Sequence, residues 1–370
     1  MRVNVLVTGA TGFVGGHLVP ALVAAGHDVR AMTRDPERYD APDGVEAVRG
    51  DLLDPDSLDG AFEGVEAAYY LVHSMGSGDD FEERDRTAAR NFAEAASAAG
   101  VDRVVYLGGL GEDTDDLSPH LRSRREVEAI LAEGDYELTT LRAAVIVGAD
   151  SASFRMVRQL VKRLPVMVTP RWVSNECQPI AIRDVVAYLV GVLDAPETAG
   201  GTYGIGGPDV LTYREMMVRT AGAMGRMQPL ILSVPVLTPN LSSYWVGLVT
   251  DVPASVARPL ILGLKNPVVV TDDSIRDYVD VELTPFDDAV CRALDELDKG
   301  TKPPESGDRA DDARSEAETG IDEGTGVGSA GTTAPGGRGS SGSGGSGGSG
   351  GDRSGGGSSD TDPWRSGADG

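Results

Sequence analysis

The stretch Thr8-Gly9-Ala10-Thr11-Gly12-Phe13-Val14-Gly15-Gly16 follows a short apolar run and precedes a helical pattern. Three glycines at intervals of three residues in this position form a strand–turn–helix signature. Gly9 permits a tight turn, and Gly15 permits close packing between the helix and the strand. Gly12 leaves the backbone open to a group bound at the start of the helix. The stretch therefore predicts that the chain begins an α/β fold.

The N-terminal half alternates between strand-like and helix-like patterns. Apolar runs that we interpret as buried strands cover residues 3–7, 28–32, 45–48, 67–72, 104–107 and 138–147. Helical patterns fill most of the intervals, at residues 15–25, 81–99 and 119–132. Short apolar strands separated by helices predict a Rossmann-type, doubly wound parallel sheet with right-handed crossovers. The short interval between residues 50 and 67 predicts one stunted crossover.

Composition divides the chain into three parts. We expect a Rossmann domain over residues 1–150, to which residues 178–203 return. Residues 151–177 and 204–300 are expected to form a smaller, mostly helical substrate lobe. Residues 301–370 hold 21 of the 49 glycines. Because such a segment buries too little apolar surface to offset its ordering entropy, it predicts a disordered tail.

The charge balance narrows the range of partners. The chain has 33 Lys and Arg against 58 Asp and Glu, a formal net charge of −25. This excess argues against a nucleic-acid partner, because phosphate binding requires a basic surface, and it argues equally against docking on anionic lipid. Few lysines and many aspartates are typical of halophilic proteins, although a GC-rich genome gives a similar composition.

The chain also lacks features of secreted and membrane proteins. Two cysteines, Cys177 and Cys291, are too few for a disulfide framework or a metal cluster. No signal sequence precedes the first strand, and no apolar run reaches the roughly 18–20 residues that a membrane span needs. We therefore expect a cytoplasmic protein with no membrane span and no metal site.

These motifs resemble the short-chain dehydrogenase/reductase superfamily, in its extended and atypical branches. The Gly-x-x-Gly-x-x-Gly spacing after a threonine carries the resemblance, and residues 178–185 and 204–216 extend it through most of residues 1–300. Residues 71–76, 141–148 and 170–173 resemble the NmrA-like subset of nucleoside-diphosphate-sugar epimerase homologues. The resemblance implies an NAD(P) cofactor, a small carbonyl or sugar-like substrate, and a possible homodimer.

The resemblance and the glycine loop together predict a cofactor site. The expected contact residues are Gly9, Thr11, Gly12, Phe13, Val14, Gly15, Thr33, Arg34, Asp51, Leu52, Val72, His73 and Ser74. The pyrophosphate is expected at the helix N-terminus, where free N–H groups and the helix dipole favour an anion. Thr33 and Arg34 suit a 2′-phosphate and favour NADP. The neighbouring Asp35 keeps NAD as the second choice.

The standard catalytic pair of the superfamily is missing. That pair is a tyrosine with a lysine four residues later, and none of the ten tyrosines here has a lysine at that spacing. Counted from the fifth strand, the two positions fall on His120 and Arg124, which share one helix face. A neutral His120, its pKa lowered by the helix N-terminus, is expected to replace the tyrosine. The alternative is that His120 caps a surface helix and that Arg124 forms ion pairs with Glu128 or nearby acids.

Two functions therefore remain open at the level of sequence. The first is an NADP-dependent oxidoreductase or epimerase-like enzyme that transfers hydride to or from a small-molecule substrate. The second is a non-catalytic redox sensor or scaffold, similar to NmrA-like regulators or to an accessory subunit of respiratory complex I. The missing tyrosine and lysine favour the second function, and the intact glycine loop fits both.

Overall fold

A computed structural model describes residues 2–73, 81–111, 118–234, 250–251 and 267–300. The predicted tail over residues 301–370 and the predicted cofactor residue Ser74 lie outside these ranges.

Strands and helices alternate along the first part of the chain. The strands are β1 (Asn4–Thr8), β2 (Asp28–Thr33), β3 (Val45–Arg49), β4 (Ala67–Tyr70), β5 (Arg103–Gly109), β6 (Glu137–Ala143), β7 (Ile146–Val147), β8 (Val166–Thr169), β9 (Glu176–Cys177), β10 (Ile180–Ala181), β11 (Thr202–Ile205), β12 (Leu211–Thr212) and β13 (Leu230–Ser233). The helices are α1 (Phe13–Ala24), α2 (Phe81–Ala98), α3 (Pro119–Leu131), α4 (Ala152–Arg163), α5 (Ile182–Asp194), α6 (Tyr213–Ala223) and α7 (Phe286–Asp298).

Seven strands form one parallel sheet in the order β11-β6-β5-β4-β1-β2-β3. The chain runs outward from β1 through β2 to β3, and then returns to the other side of β1 to form β4. This reversal of direction makes the carboxyl ends of β1 and β4 the topological switch point, where open α/β sheets bind ligands. The predicted doubly wound fold is confirmed.

Helices cover the sheet on both faces. Because side chains alternate across a strand, neighbouring residues of β4 enter opposite cores. Tyr69 packs in the core beneath α1 and α5, where its hydroxyl donates to the Leu189 carbonyl at 2.6 Å. Tyr70 packs in the core beneath α2 and α3. The centroid of its ring lies 5.0 Å from that of Phe92, in an edge-to-face arrangement. The central strand is therefore buried on both faces.

The predicted strand over residues 138–147 is wrong as a single element. The sheet strand β6 ends at Ala143, and a separate strand, β7, pairs with β10. The amide of Ile180 donates to the Val145 carbonyl at 2.9 Å, so the returning chain draws this segment out of the sheet. The stunted crossover before β4 is confirmed, since it contains only the short 3₁₀ turn Pro55–Ser57.

The residues predicted to form the substrate lobe contribute α4, α6, α7 and the two-stranded β8–β13 ribbon. Their shared core includes Phe154, Met167, Met216 and Val290. Helix α6 begins with a capping box, in which Thr212 and Glu215 exchange hydrogen bonds. The sheet strand β11 runs to Ile205, two residues beyond the predicted boundary at residue 203.

The described residues were compared with two features, a membrane-spanning helix and a metal-binding cluster. Among these residues, no helix combines the length and the apolar character needed to cross a bilayer. Likewise, no group of three or more His, Cys, Asp or Glu residues in the described part of the chain is placed to hold a metal ion. Both cysteines are free thiols, Cys177 buried and Cys291 exposed.

Candidate cofactor and active site

The glycine loop turns tightly between β1 and α1. Gly9 has a φ of +70°, which L side chains rarely adopt, and the Gly12 amide donates to its carbonyl at 2.9 Å. A Cβ on Gly15 would lie 2.2 Å from the Gly9 carbonyl oxygen, so only glycine permits this approach of helix to strand. The structural roles predicted for the first and third glycines are confirmed.

Gly12 differs from the other two glycines because its surroundings are open. It is the N-cap of α1, with a φ of −79°, and therefore offers no side chain to cap the helix. A Cβ placed there would have one neighbour within 4 Å, the Gly9 carbonyl oxygen at 3.1 Å. The first turn of α1 thus presents backbone N–H groups over a surface that a side chain would cover. This geometry fits a pyrophosphate.

The end of β4 lies directly against the glycine loop. The Thr8 hydroxyl donates to the Tyr69 carbonyl at 2.8 Å and joins β1 to β4 just below the loop. A Cβ on Gly9 would meet the Leu71 carbonyl oxygen at 3.0 Å and Val72 at 3.3 Å. The fold therefore brings the predicted residues Val72 and His73 beside the loop at the switch point.

The predicted catalytic pair meets on α3, beside His73. Arg124 donates from Nε to His120 Nε2 at 3.2 Å, along one face of α3. The ring of His120 lies 5.4 Å from the ring of His73 by centroids, at an angle of 58°. The site thus runs continuously from the glycine loop through His73 to His120 and Arg124.

The hydrogen bond from Arg124 fixes the tautomer of His120. A guanidinium group is always protonated and only donates, so Nε2 must accept and the single imidazole proton sits on Nδ1. Burial, and then the Arg124 charge, lower the pKa of His120 to about 3. Burial also holds the pKa of His73 well below its usual range, and the Arg124 charge and the neighbouring His120 lower it further. Both imidazoles are therefore neutral near pH 7.

The cause of the low pKa of His120 differs from the one that the sequence predicts. The sequence predicts that the N-terminus of α3 lowers its pKa, whereas the structure attributes the lowering to burial and to Arg124. The alternative pairing of Arg124 with Glu128 is also wrong. Glu128 instead accepts from Arg142 at 2.7 Å and from Arg125 at 3.3 Å.

Helix α3 is held in place by contacts along its length. Ser118 caps it by accepting from the Leu121 amide, and Pro119 occupies its first position. The Tyr106 hydroxyl donates to the Arg124 carbonyl at 3.2 Å. Buried Asp85 of α2 accepts from the Ser123 hydroxyl at 3.0 Å. These contacts fix the face that carries His120 and Arg124.

Gly109 permits the close approach of α3 to β5. A Cβ at this position would lie 2.9 Å from Leu121 and 3.1 Å from the Cδ of Arg124. The structural role of Gly109 was not predicted, and the one signal was a glycine at the end of an apolar strand.

The arginines that flank Arg124 form ion pairs on α3. Arg122 donates to Glu82 at 3.0 Å, and Arg125 donates to Glu128 at 3.3 Å and to the Gly111 carbonyl at 2.6 Å. The basic run of α3 therefore contributes Arg124 to the site, while its neighbours join α3 to adjacent elements.

The residues predicted to hold the adenosine half lie beyond β1, after β2 and β3. The Gly50 amide donates to the Thr33 carbonyl at 3.0 Å, which joins the ends of these two strands. Arg34 is exposed next to Thr33. Asp51 accepts from the Leu53 amide at 2.9 Å, whereas the Leu52 side chain is buried in the core beneath α2. Leu52 thus has only its backbone to offer a cofactor.

Comparison with known proteins agrees with this geometry. A family model described as NAD(P)H-binding matches residues 9–163. A (4-alkanoyl-5-oxo-2,5-dihydrofuran-3-yl)methyl phosphate reductase of Streptomyces griseus is 32% identical over 60% of this chain and 74% of its own. The chain belongs to the atypical short-chain dehydrogenase/reductases. A ceramide reductase of Caulobacter vibrioides is 31% identical, over 62% of this chain and 73% of its own.

The fold of this dehydrogenase/reductase also matches solved structures. The triphenylmethane reductase of Citrobacter sp., complexed with NADP(H), superposes with a TM-score of 0.63 at 22% identity. The match covers 78% of this chain and 100% of that one. At this identity the likeness shows the fold. The family establishes a nicotinamide cofactor for this short-chain dehydrogenase/reductase.

Proposed function

We propose that this protein is an NADPH-dependent reductase that acts on a carbonyl group. The observation that carries the proposal is the Arg124–His120 hydrogen bond of 3.2 Å, which leaves the proton of a neutral imidazole on Nδ1, in a ring 5.4 Å from that of His73. The names of both relatives described above are those of reductases, which supports the same chemistry. When bound, the nicotinamide supplies the hydride that reduces the carbonyl carbon.

His120 acts on the carbonyl oxygen in this proposal. Its Nδ1–H donates a hydrogen bond that stabilises the negative charge developing on the oxygen, as an oxyanion-hole donor does. With a pKa of about 3, the imidazolium form is not available at neutral pH, so the proton that completes the alcohol comes from water. A neutral histidine beside a fixed positive charge therefore replaces the missing tyrosine as the donor.

Arg124 serves as a positioning residue. It holds the His120 ring by Nε, and its charge strengthens the Nδ1–H as a donor by withdrawing electron density from the ring. In the proposed cofactor site, Gly12 and the first turn of α1 receive the pyrophosphate, and Val72 and His73 line the nicotinamide side. Arg34 binds the 2′-phosphate, which makes NADP the preferred cofactor.

The test combines turnover with cofactor binding. The full chain in molar salt is given NADPH and a panel of aldehydes, ketones and sugar nucleotides, and the loss of NADPH absorbance is followed. We expect His120→Ala to lower kcat by about a hundredfold, since one oxyanion donor contributes this much, with cofactor affinity unchanged. The matched control is Arg122→Ala, an exposed change on the same helix. Equal turnover by His120→Ala and the wild type contradicts the proposal.

The non-catalytic alternative rests on the missing tyrosine and lysine. As a redox sensor, the chain would bind NADPH and NADP with different affinities and would turn over none of the panel. A titration with both forms, followed by intrinsic tryptophan fluorescence, separates the two functions.

A further inference from the structure

The β8–β13 ribbon carries an exposed apolar face. The two strands are parallel, with Leu230 beside Val166 and Leu232 beside Val168. These four side chains are exposed by 57%, 50%, 47% and 53%, respectively, while the intervening Met167 and Ile231 are buried in the lobe. The alternation of strand residues thus places two valines and two leucines together on the outer face.

Met227 is another exposed apolar residue close to the ribbon in sequence. It lies three residues before the first residue of β13 and is 90% exposed. Isolated exposed hydrophobic residues are common, but a contiguous group on one regular element marks a contact surface.

The sequence around the ribbon departs from the acidic character of the chain. From residue 151 to residue 175 there are five basic residues and no acidic residue. From residue 216 to residue 250 there are two basic residues and again no acidic residue. Stretches without acidic residues also occur elsewhere, for example over residues 1–27, but these two are the ones that meet in the structure. Both of them contribute a strand to the ribbon.

Several basic residues, most of them from these two stretches, lie near the ribbon. Arg226 donates to the Lys162 backbone carbonyl at 2.8 Å, which joins the segments that precede the two strands, and both residues are exposed. Arg214 donates to the Ile231 carbonyl at 2.8 Å, along the edge of β13. Arg171 is exposed two residues after β8 ends. One acidic residue also reaches this region, since Asp251 pairs with Arg163 at 2.8 Å.

We infer that the β8–β13 ribbon docks on the surface of an anionic lipid bilayer. Its valine and leucine side chains enter the interface, and the surrounding lysine and arginine side chains lie at the level of the lipid headgroups. Each basic residue near an anionic leaflet contributes attraction, and the apolar face supplies the second component that stable peripheral binding needs. The inference does not depend on the proposed reductase activity.

The net charge of −25 argues against docking on anionic lipid, but the charge near the ribbon is what the lipid surface meets. Electrostatic attraction acts within about a Debye length, roughly 8–10 Å at moderate salt, so the membrane responds to the ribbon and its rim. The acidic remainder of the surface is repelled, which would orient the protein with the ribbon toward the lipid. Two copies joined through the same face would bring basic residues against basic residues, and this favours lipid over self-association.

The experiment is flotation of the full chain with vesicles of phosphatidylcholine containing phosphatidylglycerol, and with vesicles of phosphatidylcholine alone. It is done at about 0.1 M and about 1 M salt, where the Debye length falls from about 10 to about 3 Å. Circular dichroism establishes that the chain is folded under both conditions. We expect binding to the anionic vesicles, several-fold weaker binding at the higher salt, and little binding to phosphatidylcholine.

Variants separate the two components of the surface. The double change Val168→Ser, Leu232→Ser is expected to weaken binding at least tenfold under both salt conditions. Lys162→Gln is expected to weaken it about fivefold at low salt only, since each basic residue contributes about this much. The matched control is Val210→Ser, because Val210 is exposed to a similar extent, 46%, outside the ribbon.

Three results would overturn the inference. One is the absence of flotation with anionic vesicles at both salt concentrations. Another is equal loss of binding in the ribbon variant and in Val210→Ser. The third is a dimer in vesicle-free solution, detected by light scattering, that the Val168→Ser, Leu232→Ser change dissociates, since the ribbon would then bind a second copy.

Discussion

The Nε of Arg124 lies 3.2 Å from the Nε2 of His120 and donates a hydrogen bond to it. The two residues are one helical turn apart on α3, at the positions where the superfamily resemblance places a tyrosine and a lysine. In the tyrosine–lysine pair of the superfamily, the lysine cation makes the tyrosine phenol more acidic. Here a cation holds an imidazole neutral and directs its remaining proton. Arg124 thus supplies a cation where the superfamily pair has lysine, and His120 supplies an imidazole donor where that pair has tyrosine.

The first prediction concerns stability and pH. In the folded state the pKa of His120 is about 3, against about 6.5 in an unfolded chain. Between these values the unfolded state binds more protons, so this residue lowers stability as pH falls from about 6.5 toward 3. The slope is at most about 1.4 kcal/mol per pH unit for one group.

Urea unfolding of the wild type and of His120→Gln at pH 7 and pH 5 measures this effect. Because other groups titrate equally in both proteins, the difference between them isolates His120. We expect the free energy of unfolding to fall by about 1–2 kcal/mol more in the wild type than in the variant between pH 7 and pH 5. Identical losses would show that His120 titrates normally in the folded protein.

The second prediction tests the role of Arg124 in setting that pKa. Arg124→Met retains most of the aliphatic side chain and removes the charge and the donor. Since burial is the larger cause of the lowering, we expect the pKa of His120 to rise but to remain below about 6.5. Titration of the histidine ring protons by NMR measures it. A pKa that does not change would exclude Arg124 as a cause.

The third prediction separates two glycines of the loop. Gly15→Ala would place a Cβ 2.2 Å from the Gly9 carbonyl oxygen, and we expect it to destabilise the protein by about 3 kcal/mol or more. Gly12→Ala meets a neighbour only at 3.1 Å and is expected to change stability by less than about 1 kcal/mol. It should nevertheless weaken cofactor binding at least tenfold, because the methyl group covers the first turn of α1.

Thermal unfolding and a cofactor titration test both glycine variants. Gly60→Ala is the control, since a Cβ at this position has no neighbour within 4 Å. A Gly12→Ala protein with normal affinity would mean that the pyrophosphate binds elsewhere.

The fourth prediction concerns the choice between NADP and NAD. Arg34→Ala is expected to weaken NADPH binding by about ten- to a hundredfold, which is the effect of losing hydrogen bonds to a charged group, and to leave NADH binding unchanged. Arg38→Ala is the matched control, because Arg38 is an exposed arginine in the same turn, 4.0 Å from Asp35. Equal effects on the two cofactors would assign Arg34 a structural role and favour NAD.

Much of the fold followed from local sequence signals. The strands β1 to β5 and the helices α1, α2 and α3 were predicted within a few residues, because buried strands and amphipathic helices have distinct periods. The break between β6 and β7 was not predicted, because residues 138–147 contain no glycine or proline to mark a turn. Their division depends on a partner, β10, more than thirty residues away. The period of a sequence contains no information about that pairing.

The sequence by itself determined the α/β class, the glycine loop and the positions of His120 and Arg124 on one helix face, since each depends on spacing along the chain. Tertiary structure alone decided that His120 meets His73, and that its pKa is lowered by burial and the Arg124 charge rather than by the helix N-terminus. It also decided that two distant stretches without acidic residues meet in one exposed ribbon. Burial and cross-chain contacts depend on which surfaces meet, and this is fixed only when the whole sheet and its helices pack together.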